Sequence, residues 1–350
     1  MENINKRIRW IDIAKGFGIL IIVLGHVLRV GYLKQFTYAF SVPYCLILAG
    51  FTYKYNNSSD FIRKKFLRIM IPYYSFSLIS IIIYYFVGTF FQNIISLNQS
   101  DTNILNNILS MFYANSRYLN MEWNRPLWFL PTFFISIVLV NFIENYVNKG
   151  NKRAFFIIVL LFINFIVSLF SDVLYLPFQL ETAFSFMLYI EIGILIKDLL
   201  YENKNSALII IGIVIGCALG YINGSSDIRI MEFGRSYFLY LLVSIILSIS
   251  FIMLSKKISK LNLLALIGRN TISIMCMHKF PVMFFQMVLP ITKAIILKNS
   301  ETLLMDFTSI ALSVIVVCMC LGVTYLLNMY FPYIYGTNKK TNILKQVQYE

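Results

Sequence analysis

The chain has 350 residues, of which 59% are hydrophobic and only 13% charged, with a mean hydropathy of +0.73. That much apolar surface excludes an ordinary soluble domain of this length and points to an integral membrane protein. A net charge of +14 suggests nucleic acid in a soluble chain, but here the placement of the charges reports topology, and no nucleic-acid partner is needed to explain it.

Ten apolar stretches long enough to cross a bilayer follow one another, at about 11–31, 36–53, 69–90, 127–146, 154–171, 183–200, 207–223, 237–254, 263–289 and 308–331. With the N-terminus in the cytoplasm, the inner segments hold nineteen Lys and Arg residues and the outer loops eight; only Lys15, Arg269 and Lys279 fall within spans. A bias that alternates correctly through ten spans predicts that both termini are cytoplasmic. The expected fold is therefore an all-α integral membrane protein of about ten transmembrane helices. It forms a single domain over 1–335 with a polar cytoplasmic tail over 336–350, a multi-pass protein of the plasma or inner membrane in contact with lipid. The first stretch is expected to stay in the protein and not to be cleaved as a signal peptide. It carries internal charges, lacks a small-x-small cleavage site and is followed by nine more spans.

The first helix carries the strongest chemical signal, because Asp12, Lys15 and His26 interrupt an otherwise apolar run. An ionisable group at a helix centre costs roughly 2.5–3.5 kcal/mol on insertion scales, so such groups are functional candidates. Lys15 and His26 are eleven residues apart, which returns to within about 20° of the same helix face and separates them by roughly 16 Å. One polar tunnel with a group near each end satisfies that geometry. His26 lies about 24 Å from the inner interface at Trp10, in the outer half of a core about 30 Å thick. Lys15 has two readings, a site cation or a lysine that snorkels to the inner surface and pairs with Asp12 one turn away.

The segment Asp60–Tyr74 is the densest basic cluster, with Arg63, Lys64, Lys65 and Arg68 ahead of Pro72. It suits the phosphates of a cytoplasmic cofactor, although the positive-inside bias alone also accounts for it. The outer stretch 91–126 is the longest outside the membrane, long enough to cover a polar substrate or merely to connect two spans. Trp10 at the inner edge and Trp123 and Trp128 at the outer edge fit interfacial aromatic belts. Glu191, midway along the sixth span, is either a partner for a site cation or a structural buried acid.

In the ninth span, His278 is about 25 Å from the inner face, which puts the only two histidines of the chain at similar depths. Lys279 follows it, and Pro281 disturbs the helix nearby, as happens where backbone lines a cavity. Neutral imidazole is the usual proton acceptor for a hydroxyl nucleophile. The five cysteines all lie in apolar segments without ligand spacing, so core packing is expected and no metal is implied.

At these residues the chain resembles the acyltransferase-3 family of ten-helix membrane acyltransferases, over nearly its whole length. Trp10–Gly16 through Leu24-Gly25-His26 matches the family's basic-x10-His motif, and is most similar to the branch carrying Lys, which includes fucose O-acetylase-like proteins. Arg63 to Pro72 resembles its basic cytoplasmic motif, Leu127-Trp128-Phe129-Leu130 its LWFL segment, and Ile267–Ile272 through His278 its LGxNT…H segment. Ser41 stands where many relatives have a histidine, and Ala49 where Ser is usual.

The resemblance implies transfer of an acyl group, most often acetyl, from cytoplasmic acetyl-CoA or another acyl-CoA to a hydroxyl of a cell-surface or lipid-linked glycan. Arg63, Lys65 and Arg68 then meet the donor's phosphates and Lys15 orients its acyl end. His26 takes the acceptor's proton or carries the acyl group, with Asp12, His278 and Glu191 in support. Polysaccharide-assembly proteins are expected neighbours. The alternatives are a polysaccharide exporter or lipid-linked glycan flippase, and a helical scaffold within a polymer-assembly complex.

Overall fold

The computed structural model describes residues 8–28, 30–57, 60–90, 103–119, 121–148, 152–202, 205–258, 260–288 and 303–336. The chain is a helical bundle with no β-strand among these residues. In order, the helices are α1 (Arg9–Val27), α2 (Tyr32–Phe51), α3 (Asp60–Lys65), α4 (Ile71–Phe90), α5 (Ile104–Tyr113), α6 (Phe129–Val147) and α7 (Lys152–Leu169). They continue with α8 (Leu180–Glu202), α9 (Ser206–Asn223), α10 (Tyr237–Lys257), α11 (Asn262–Arg269), α12 (Thr271–Met277), α13 (Lys279–Val288) and α14 (Leu303–Tyr330).

Among the described residues seven helical runs are long and apolar enough to cross a membrane, and the protein is an all-α integral membrane protein. The other three expected spans are present as helix of a different kind. α8 carries Glu181, Glu191, Lys197, Asp198 and Glu202, α2 is rich in tyrosine and hydroxyl side chains, and the ninth span is broken into α11, α12 and α13. The expected tail falls mostly on residues 337–350, outside the described residues, as do residues 91–102 of the long outer stretch.

Proline places the local irregularities. Pro72 has no N–H for the helix ladder, and just before it Ile71 donates to Phe66 O, five residues back, making the π-helical turn Phe66–Met70. Pro43 sits inside α2, beside the backbone of Ser41 and Val42. Pro281 leaves the Met277 carbonyl without its usual donor, so the ninth span turns at His278, one turn upstream. A second turn falls at Asn270.

Small residues let the helices meet at backbone distance. A Cβ on Gly268 would overlap the carbonyl oxygen of Asp12, and one on Gly16 would overlap that of Leu264, so α1 and α11 touch main chain to main chain. Gly50 and Gly193 do the same for α2 and α8. Tyr44, fully buried in α2, donates its hydroxyl to Ala14 O at 2.7 Å and joins α2 to α1.

Two features of the long outer stretch differ from the sequence expectation. It contains a helix, α5, capped by Asn103, whose side chain accepts from Leu105 N (3.0 Å) and Asn106 N (3.3 Å). Its Trp123 is not in an interfacial belt. The ring is buried and donates through Nε1 to Ser110 Oγ at 2.9 Å, and Trp128 is buried as well. Both rings fill the interior under the outer loops.

Candidate active site

Three cavities lie in series through the bundle. The first, about 320 Å³, is lined by Lys15, Lys54 and Lys65 and by an apolar wall that includes Ile19, Leu48, Ile69 and Phe133. The second is a neck of about 60 Å³, and it shares Ile22, Phe129 and Met275 with the first. The third is a polar chamber of about 450 Å³, sharing His26, Tyr38, Trp128, Asp227 and Arg229 with the neck. In place of the single polar tunnel expected from the Lys15–His26 spacing, neighbouring cavities follow α1 from Lys15 to His26, and the first is walled mainly by apolar side chains.

α1 builds this passage by its periodicity. Lys15, Ile19, Ile22 and His26 recur at spacings of four, three and four, so one helix face lines all three cavities. His26 is exposed to the chamber, and its ring lies 5.0 Å from that of His278, centroid to centroid, and 6.4 Å from that of Tyr38. His278 is completely buried at the turn between α12 and α13. The similar depth inferred from residue counts is therefore a direct ring-to-ring approach.

The other candidate residues divide. Lys65 is half-buried, lines the first cavity and lies 5.4 Å over the Phe61 ring. Arg63 and Arg68 are exposed on the same helical run, and neither lines any of the three cavities. Asp12 is buried, and its Oδ2 pairs with Arg269 Nε at 3.3 Å, an ion pair between α1 and α11. Glu191 is outside the passage. It pairs with Arg153, which also pairs with Glu144 at 2.7 Å, and all three side chains are buried. Arg153, counted from the sequence as an inner-loop cation, instead points into the bundle.

Several chamber residues escaped the sequence reading. Asp227 and Arg229 come from the loop between α9 and α10 and pair with each other at 3.2 Å, while Asp227 Oδ1 accepts Arg229 N at 2.9 Å. Buried Gln179 donates to Arg229 O at 2.6 Å and accepts from Ser116 Oγ at 3.0 Å, fixing that loop to two others. Arg125 pairs with Glu122, and Lys279 donates to the Glu122 carbonyl. Asn124 donates to Cys276 O at 2.8 Å and Ser80 Oγ at 3.0 Å, tying the long outer stretch to α12 and α4. The usable signal was Asp227-Ile228-Arg229, a charged triplet in a short loop between two strongly apolar helices.

All four segments that resemble family motifs line the passage: α1; Lys65 and Ile69; Trp128, Phe129 and Leu130; and Thr271, Ile272, Met275 and His278. The sequence model of the acyltransferase domain known as acyltransferase 3 matches residues 8–329. The chain belongs to the acyltransferase-3 family. A search of curated proteins and one of solved structures each find no match. As a member of this family the protein is a membrane acyltransferase. The family's two departures in this chain both face the passage, Ser41 at the neck and Ala49 in the first cavity.

Proposed function

We propose that the protein moves an acyl group, most simply acetyl, from cytoplasmic acyl-CoA to a hydroxyl of a cell-surface or lipid-linked glycan. The observation that carries this reading is the series of cavities from the lysine-lined first cavity to the histidine-lined chamber. A donor with an anionic head and a long, slender arm matches a cationic mouth followed by a narrow neck. Lys54 and Lys65 meet the head, with Arg63 and Arg68 exposed nearby, and Lys15 orients the arm. The chamber has the size of a small-molecule site and mixes carboxylates, guanidinium groups, Tyr38 and Trp128. Such a lining suits a polyhydroxylated acceptor, with hydrogen-bonding groups for hydroxyls and an aromatic face for a sugar ring.

His26 stands where the two substrates meet. It takes the acceptor's hydroxyl proton as the oxygen attacks the thioester carbonyl. Transport of intact glycan finds no support in the neck, whose roughly 60 Å³ holds only a few water-sized groups. Mass spectrometry of the surface glycan from wild-type cells and cells carrying His26→Ala tests the proposal. Loss of the acyl mass in the variant, with normal membrane insertion, is expected. Unchanged acylation removes His26 from the reaction.

A further inference from the structure

His278 holds two features that the acyl-transfer reading leaves unused. Its Nδ1 lies 3.0 Å from the carbonyl oxygens of both Ile274 and Met275. Carbonyl oxygens only accept, so Nδ1 carries the proton, and in a neutral imidazole the lone pair then sits on Nε2. That Nε2 is buried and has no hydrogen-bond partner among the described residues. Buried acceptors are nearly always paired, so an orphan one calls for an explanation.

The nearest imidazole supplies one. The His26 ring is 5.0 Å away, centroid to centroid, with its plane tilted by 36°. At that separation a small rotation brings a ring N–H of His26 onto Nε2 of His278. His278 forms part of the chamber wall but exposes no surface to solvent, whereas His26 is exposed there and is the better placed of the two to meet a substrate.

We infer that His278 is a positioning residue for His26, accepting an N–H of the His26 imidazole through Nε2 when the site is loaded. This fixes His26 in one tautomer, with its other nitrogen presenting a lone pair to the chamber. Two backbone carbonyls, His278 and His26 then form a relay in which the carbonyls hold the tautomer that a carboxylate holds in a serine-hydrolase triad. The break between α12 and α13 places His278 against α1.

The catalytic part of the inference rests on the acyl-transfer reading. There, the acceptor hydroxyl gives its proton to the free nitrogen of His26 as its oxygen bonds to the thioester carbon. The carbon–sulfur bond breaks, and the same proton passes from His26 to the departing thiolate, leaving an ester, a free thiol and neutral His26. His278 keeps its Nδ1 proton throughout and stabilises the transient imidazolium by accepting from it.

Because the chain has only two histidines, the test is unusually direct. The full-length protein is labelled with 15N-histidine, reconstituted in lipid nanodiscs and observed by NMR without and with a non-hydrolysable acyl-CoA analogue. Protonated and unprotonated ring nitrogens differ widely in shift, and His26→Asn and His278→Gln assign the two rings. His278 is expected with Nδ1 protonated and Nε2 bare in every state, and His26 as a single tautomer with the analogue bound. In His278→Phe, His26 is expected to become a tautomer mixture. A proton on Nε2 of His278, or a His26 tautomer unaffected by His278→Phe, overturns the relay.

A kinetic arm uses CoA release from acetyl-CoA in membrane vesicles of the native cells, which retain the glycan acceptor. His278→Leu is expected to lower kcat at least about tenfold with KM within about twofold. His278→Gln, whose amide oxygen can accept, is expected to recover part of the rate. Equal losses in Leu and Gln, or a loss confined to KM, assign His278 to packing alone and also overturn the relay. Absence of CoA release from the wild-type protein counts against the acyl-CoA reading, while the NMR arm still decides the relay.

Discussion

Asp12 on α1 and Arg269 on α11 form an ion pair at 3.3 Å, with both side chains largely buried. α1 carries His26 near its other end, and α11 leads through the turn at Asn270 into α12, which ends at His278. Removing one partner of a buried ion pair costs about 3–5 kcal/mol. Asp12→Ala is therefore expected to lower stability by roughly that amount in denaturant unfolding of the micellar protein. Asp12→Ala combined with Arg269→Leu should lose less than the sum of the single changes, by about 0.5–3 kcal/mol. Strict additivity would show that the contact carries no coupling energy.

Lys15 gives a second expectation. It lines the first cavity together with Lys54 and Lys65, so its role under the proposed function is on the donor side. Lys15→Met keeps the aliphatic stem and removes the charge. A lost charge-assisted hydrogen bond is worth about 1.5–3 kcal/mol, or roughly 10- to 150-fold. KM for acetyl-CoA is expected to rise by about that factor, with binding of the acceptor unchanged. A Lys15→Met protein with the wild-type KM would return Lys15 to the snorkelling role.

Much of the architecture was legible because membrane helices write themselves in consecutive residues. Apolar length and the alternation of Lys and Arg marked ten helical elements, and the α1 spacing of Lys15 and His26 marked the passage. The chamber was not legible in the same way. Its walls come from the Glu122–Trp128 turn, the Asp227–Arg229 loop and the α12–α13 break, which only the tertiary fold brings together. Nor does local sequence tell a buried cation from a surface one. Arg153 reads as a positive-inside residue until Glu144 and Glu191, nine and 38 residues away, are seen to hold it. Trp123 and Trp128 likewise sit at the ends of apolar runs, where a belt and an interior wall look identical.

That Arg153 cluster separates structural from catalytic acids. Glu191 lies outside the three cavities, and its pairing accounts for a carboxylate within a span. Glu191→Ala is expected to cost about 3–5 kcal/mol of stability, measured by denaturant unfolding, with KM for acetyl-CoA unchanged in the protein that folds. Arg153→Met should be comparably costly, because it strands two carboxylates. A change in KM without a change in stability would instead place Glu191 in the site.

The neck offers the sharpest separation of binding from transfer. Ile22 lines both the first cavity and the neck, and it is buried on the α1 face between Lys15 and His26. Ile22→Phe adds a ring to a space of about 60 Å³, at an overpacking cost of about 1–3 kcal/mol. The lysine-lined mouth is untouched, so acetyl-CoA is still expected to bind in a calorimetric titration, with at most a few-fold loss of affinity. Transfer should fall by at least about 100-fold, because a donor arm displaced by even about 1 Å from the reacting groups loses that much. Ile22→Val, which deletes one methyl group at about 0.5–1.5 kcal/mol, serves as the control and should transfer at close to the wild-type rate. If Ile22→Phe transfers as fast as Ile22→Val, the donor does not pass the neck and the route from Lys15 to His26 is wrong.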